Sequence, residues 1–324
     1  MAKKSGEFFV ILLLIILFFS TPVLSAEKGA DFPKKAIRWI VPYPAGSGND
    51  IQSRGIIPYL SKRLGVTILV ENIPGADGRI GLNQTWKAKP DGYTLVNPGM
   101  PTPIINEKTY PVHYKTREFT HIFAWSQDNI VLVVNSDSWK TPQEFIAAAQ
   151  SKTLAGGNSG IGSVSQIAGL QLEEVAKVKP FNWVPFRGGS ETMTQLAGKH
   201  VDFGITTVSG ARPLIDAGML RPILIFSSQK DLTFPNAPIP REIGLNITAM
   251  PIIRGAMAPP GVTPEIVNIL EQAFFKAVHD PDFLEWSQKV RIDITSINHE
   301  QFLDYTIGVE KEVTKYLDKI KIKK

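Results

Sequence analysis

Between residues 37 and 96 the chain alternates apolar, β-rich runs with helix-forming stretches, and that alternation limits the possible folds more than any other feature. Residues 37–43 read as a buried strand, the stretch after the loop 44–49 as a helix running to Leu64, residues 67–71 as a second strand, 78–88 as a second helix and 93–96 as a third strand. Such a βαβαβ run packs as a parallel sheet with helices on its faces, because each parallel crossover needs a helix-length connection. Gly55 and Pro58 predict a kink or split in the first helix, since proline removes a backbone donor and clashes one turn back. The alternation then resumes. Residues 130–134 read as a strand, and Thr141-Pro142-Gln143-Glu144 is a capping box with proline at the first helical position. Further strands are expected at 153–155, 182–185, 201–205 and 221–226, with helices at 164–176, 190–197 and 209–217. After a proline-rich stretch come a strand at 252–258 and an amphipathic helix opened by Thr263-Pro264, with Ile266, Leu270 and Phe274 on one stripe. Two more helices open at Asp280-Pro281 and at Asn298, and this late helical block predicts a return to the first lobe.

The first residues bear on the compartment. Lys3 and Lys4 precede an apolar run at 8–19, and Val23-Leu24-Ser25-Ala26 offers a small-residue cleavage site. This is the layout of a secretory signal peptide, the run being shorter than the ~20 apolar residues of a membrane span. Residues 1–26 are expected to be removed, leaving enough chain for roughly two domains at ~150 residues each. Cysteine is absent, so disulfides, thiolate metal sites, a Cys nucleophile and a lipid-modified Cys after the signal are all excluded. The mature protein is therefore expected in the periplasm without a lipid anchor. The net charge is only +5, with much of it in the tail 315–324, and no basic cluster with interleaved aromatics points to nucleic acid.

Two loops carry the candidate chemistry. Tyr43-Pro44-Ala45-Gly46-Ser47-Gly48-Asn49-Asp50 lies at the C-terminal end of the first strand, where ligands bind in open α/β sheets. Glycines let the backbone turn N–H groups toward a ligand, and the helix behind adds the positive end of its dipole. Tyr43, Ala45, Gly46, Ser47, Gly48 and Asn49 are thus candidate anion contacts, with Asp50 orienting the loop; a plain tight turn is the other reading. The loop lacks the Gly-Lys-Ser/Thr ending of a nucleotide-binding loop and has Ile51 where the dinucleotide pattern needs glycine. The second loop, 156–162 and its helix start, repeats the design with Ser159, Gly160, Gly162, Ser163 and Ser165, where Ser163 or Ser165 would cap the helix. One such loop per half suits two helix N-termini facing each other around one carboxylate. Catalytic patterns are lacking. His113, His121, His200, His279 and His299 are scattered, no His-Glu-x-x-His or Gly-x-Ser-x-Gly occurs, and neither a metal site nor a cofactor is expected.

Several stretches, in order along the chain, resemble the substrate-binding proteins of the tripartite tricarboxylate transporter class, the Bug or TctC-like receptors. They are Ile40-Val41-Pro42-Tyr43-Pro44-Ala45-Gly46 with Asp50, Val70-Glu71-Asn72-Ile73-Pro74-Gly75-Ala76, Pro90-Asp91-Gly92-Tyr93-Thr94-Leu95, the 159–165 loop, Val184-Pro185-Phe186-Arg187-Gly188-Gly189, Gly198-Lys199-His200-Val201-Asp202 and Ala258-Pro259-Pro260-Gly261-Val262-Thr263-Pro264. The resemblance implies an α/β, type II periplasmic-binding-protein fold: two lobes, a ligand cleft and two crossing segments. Lobe 1 would comprise 27–126 plus 251–324 and lobe 2 residues 127–250, with crossings near 126–129 and 249–252. It also implies a monomer that holds a small carboxylate at the two loops and delivers it to a membrane complex of one large and one small subunit.

Departures from the family pattern bear on the ligand. Thr206 stands near where relatives carry an acid that would meet an amine, which argues against an amino acid. Arg254 replaces an aromatic and suits a second carboxylate if it faces the cleft, although an alternating strand equally well turns it outward. Arg187 takes the place of a usual lysine. Trp125 and Phe186 are candidate apolar walls. A di- or tricarboxylate is the favoured ligand; a periplasmic sensor feeding a sensor kinase and an exported enzyme acting on a carboxylic acid are the alternatives.

Overall fold

Strand β1 (Ile37–Val41) buries all its residues except Arg38, as a central strand must when both faces are covered. A computed structural model describes residues 32–317 and 319–320; the expected signal peptide, 1–26, and the end of the basic tail lie outside the described residues. From β1 the chain enters α1 (Gly48–Leu64), β2 (Ile68–Asn72), a 3-10 turn (Ala76–Gly78), α2 (Arg79–Trp86) and β3 (Thr94–Val96). β2 and β3 flank β1 in parallel, with Trp39 level with Val70 on one side and Leu95 on the other. The anticipated split in α1 does not occur. Pro58 lies on the exposed face, where water can satisfy the carbonyl that proline leaves free. Gly55 is there for contact, since a Cβ on it would sit 1.9 Å from the Trp286 ring.

Two elements not anticipated follow, α3 (Thr102–Thr109) and β4 (Thr120–Asp128). Nearly every residue of β4 is buried, so it shows no alternation to betray it. Only Asn129 separates β4 from β5 (Ile130–Asn135), which opens a second sheet. Next come α4 (Pro142–Ser151), capped by the Thr141 hydroxyl as expected, β6 (Ala155–Asn158), α5 (Val164–Ala176), β7 (Asn182–Pro185), α6 (Gly189–Ala197), β8 (Phe203–Thr207), α7 (Val208–Asp216) and β9 (Leu220–Phe226). Gly156 and Gly157, expected in the loop, belong to β6. A Cβ on Gly156 would meet the Phe203 ring at 2.4 Å, so glycine is required by packing rather than by a turn. The chain returns through β10 (Ile252–Ala258), α8 (Pro264–Val278), α9 (Pro281–Val290), β11 (Asp293–Ile297) and α10 (His299–Leu317).

The first sheet runs β11-β4-β10-β3-β1-β2 and the second β7-β6-β8-β5-β9. Only part of each is parallel: β10 runs antiparallel to β3 and β4, and β5 antiparallel to β8 and β9. Strands before Asn129 and after Pro251 thus build one sheet, and those between build the other. Trp125 is not a cleft wall. It is buried in the first core, stacked on Phe274 at 5.8 Å beside Trp39. Phe186 packs beside Gly157. α10 lies across β4, where the buried His121 joins the Phe119 carbonyl and the Thr306 hydroxyl, each at 2.9 Å.

Candidate functional site

The loop after β1 is held by its own aspartate. Gly46, at φ +79°, donates its N–H to Asp50 Oδ2 at 2.9 Å, while Asp50 Oδ1 accepts from Arg54 Nε and Asn72 Nδ2, each at 2.9 Å. Burial opposes ionisation of Asp50, but the Gly46 amide, Arg54 and Asn72 outweigh it and hold the carboxyl below the usual range. Ser47 caps α1 by accepting the Asp50 N–H at 3.3 Å. The buried Asn49 amide bonds Asn97 Oδ1 at 3.2 Å, and Asn97 returns a bond to the Asn49 carbonyl at 3.2 Å. Tyr43 donates its hydroxyl to the Pro98 carbonyl at 2.8 Å, and burial pushes its pKa up. Ala45 is exposed and lines neither cavity described below. The amide of Gly46 is thus occupied within the loop. What opens outward is Gly48, in the first turn of α1, whose leading amides have no intrahelical acceptor.

Gly48 lines a cavity of about 360 Å³ walled by both sheets' elements. α1 contributes Ile51 and Gln52, β10 contributes Arg254, β4 ends there at Asp128, and α7 presents Val208, Ser209 and Arg212. The segment Val290, Arg291, Ile292 and Asp293 closes the remaining side. Arg254 therefore turns toward the cavity. Its guanidinium lies against the α1 N-terminus, 3.1 Å from where a Gly48 Cβ would be. Arg254 Nε is buried and has no hydrogen-bond partner, and burial lowers its pKa against the opposing pull of Asp128 and Tyr43. A guanidinium with a buried, unpaired Nε beside a helix N-terminus is a strong anion attractor, because both fields have the same sign. At the rim, Asp216 Oδ2 joins Arg212 Nε at 3.3 Å and Arg291 at 2.9 Å, so one carboxylate ties α7 to the end of α9.

The second loop lines a different cavity, of about 480 Å³. Ser159, Gly160, Gly162, Ser163 and Ser165 face the 3-10 turn with Ala76 and Asp77, Arg79 at the start of α2, and α3. Ser163, not Ser165, is the cap, accepting the Gln166 N–H at 3.3 Å. Gly160 and Gly162 donate to Asn158 Oδ1 at 2.9 Å and Gln166 Oε1 at 2.7 Å. Thr206 is buried behind the loop, its hydroxyl 3.3 Å from that of Ser159, which is 3.4 Å from that of Ser165. Arg79 stacks on Tyr110 at 3.8 Å and supplies positive charge to this wall. Arg187 is exposed and lines neither cavity; its backbone N–H donates to Glu191 at 2.8 Å. The two loops are thus not brought to one cavity. Consecutive residues at the β8–α7 junction line the two cavities, Thr207 the larger and Val208 and Ser209 the smaller. Asp77, Arg79, Asp128, Arg212 and Asp293 were missed in the sequence, being single charged residues on unrelated elements with no motif around them.

No group of three or more potential metal ligands occurs among the described residues, and none of their helices is long and apolar enough to cross a membrane. Residues 53–320 match the family model described as "Tripartite tricarboxylate transporter family receptor". A Cupriavidus necator protein, "UPF0065 protein in gbd 5'region", is 31% identical over 93% of this chain and 92% of its own. BugT of Bordetella pertussis is 28% identical over 85% of this chain and 86% of its own. Among solved structures, a TctC solute-binding protein from Polaromonas superposes with TM-score 0.82 at 27% identity, covering 89% of this chain and all (100%) of the other. MatC from Rhodopseudomonas palustris, solved with bound malate, gives TM-score 0.68 at 26% identity, covering 89% and 99%. These neighbours share the two-sheet α/β architecture of periplasmic binding proteins, and they are solute receptors rather than enzymes. The chain belongs to the receptor family of the tripartite tricarboxylate transporters.

Proposed function

We propose that this receptor captures a small carboxylate, with di- and tricarboxylates favoured, and delivers it in the periplasm to a tripartite-type membrane transporter. The observation that carries the reading is Arg254, whose buried Nε lacks a partner beside the N-terminus of α1. One ligand carboxylate docks there, on the guanidinium and the leading amides of α1. A second acidic group of a longer ligand reaches the 159–165 loop and Arg79 past Thr207. The relative solved with malate, a dicarboxylate, supports this choice of class. Lobe 1 (27–126 plus 251–324) and lobe 2 (127–250) close on the ligand by bending at the two passages between the sheets. Residues 1–26 serve as the cleaved export signal, and the mature protein acts as a monomer that hands its cargo to one large and one small membrane subunit.

The test is a thermal-shift screen of the purified protein against mono-, di- and tricarboxylates, amino acids and nicotinamides. A ligand bound only by the folded state raises the melting temperature by mass action. A shift with di- or tricarboxylates that disappears in Arg254→Ala supports the site. Shifts with nicotinamides or monocarboxylic amino acids, and none with any di- or tricarboxylate, aspartate included, would overturn it.

A further inference from the structure

The cavity that holds Arg254 contains a second charged group left without a partner. Asp293, the first residue of β11, lines it, and its carboxyl makes no hydrogen bond or ion pair among the described residues. Both residues line that cavity from strands on either side of β4: β10 pairs with it on one side, with Arg254 level with Ser126, and β11 on the other, with Asp293 level with Gln127. The other acids nearby are committed. Asp128 accepts the Ser209 amide at 3.1 Å and its hydroxyl at 2.5 Å. The buried Asp231 accepts Asn129 Nδ2 and the Thr233 amide, each at 2.9 Å, and the Phe234 amide at 3.1 Å. Arg212 acts on Asp293 through its charge, but its Nε is bonded to Asp216.

We infer that Asp293 is a specificity-determining residue that accepts a hydrogen bond from a hydroxyl or ammonium group on the ligand whose carboxylate Arg254 holds. The site then prefers hydroxy- or amino-substituted carboxylates over the unsubstituted acids of the same skeleton. A half-buried carboxyl facing a cavity has unused acceptor sites, and a ligand donor satisfies them. Ile51, Val208, Val290 and Ile292 form the apolar part of the wall. A carboxylate is also the wrong neighbour for a second acid group, so Asp293 steers that group elsewhere. Burial, Asp231 and Asp128 push the Asp293 carboxyl up to about 6, against Arg212, as an acid without a donor should behave. Sites built around a substrate donor reject the analogue lacking it far more strongly than apolar pockets discriminate by size.

The inference rests on the carboxylate reading of the Arg254 cavity, and paired ligands separate the two. Calorimetric titration at neutral pH compares succinate with malate and aspartate, and tricarballylate with citrate. At least one donor-bearing acid is expected to bind about tenfold or more tightly than its unsubstituted partner. Malate against aspartate tells hydroxyl from ammonium. Asp293→Ala is expected to bring that ratio within about twofold. Asp293→Asn, which keeps one acceptor oxygen but no charge, should retain part of a hydroxyl preference and lose an ammonium preference. Equal wild-type affinity for both members of each pair, or an unchanged ratio in Asp293→Ala, overturns the role of Asp293 alone. Failure of every carboxylate to bind the wild type overturns the carboxylate reading and this role with it.

Discussion

Replacing Arg254 with methionine separates two effects that an unpaired guanidinium combines. Its charge attracts the ligand, so Arg254→Met should weaken carboxylate binding by about 2–3 kcal/mol, on the order of a hundredfold in Kd. Its buried Nε has nothing to bond, so the same change should leave the melting temperature of the unliganded protein unchanged or higher. Calorimetry and thermal melts on one preparation check both. The arginine was visible in the sequence as a departure from the family pattern, but its direction was not. Strand alternation normally settles such a question, and β10 shifts register between Arg254 and Gly255, which breaks the alternation at that point. Asp50 shows the opposite case. Its role in orienting the loop was legible because an acid four residues after a glycine in a helix-capping loop has few other uses, and it bonds the Gly46 amide.

Helices and strands contribute through packing that residue patterns describe only in part. Gly55 reads as a helix breaker, yet it provides the space into which Trp286 of α9 fits. Gly55→Ala therefore costs stability although alanine is the better helix former: about 1–3 kcal/mol from overpacking, measured by denaturant unfolding. The seam between α10 and β4 contains a titratable group. Burial lowers His121 to about 4, with the Phe119 carbonyl acting in the other direction. Unfolded histidine takes up a proton below about 6.5, whereas the folded protein excludes it. Stability from this group is full above that value, falls as pH drops from about 6.5 toward 4, and flattens below. The loss is on the order of 3 kcal/mol, and His121→Gln should remove that part of the pH slope in urea titrations.

At the scale of the whole molecule, one carboxylate, Asp216, spans α7 and the end of α9 through Arg212 and Arg291. These groups are largely exposed, so Asp216→Ala should change global stability by less than about 1 kcal/mol. If closure is part of capture, the same variant should release ligand faster, which stopped-flow dissociation would read. The sequence by itself determined the α/β class, the glycine loops at strand ends and the family, because each depends on local periodicity and short motifs. Only the tertiary structure decided that the two loops line different cavities. It also decided that Arg254 and Asp293, far apart in the chain, flank β4 in one cavity. That strand is buried along nearly its whole length and carries no periodic signal. Which residues meet across it follows from backbone hydrogen-bond register between distant segments, and local sequence does not encode that register.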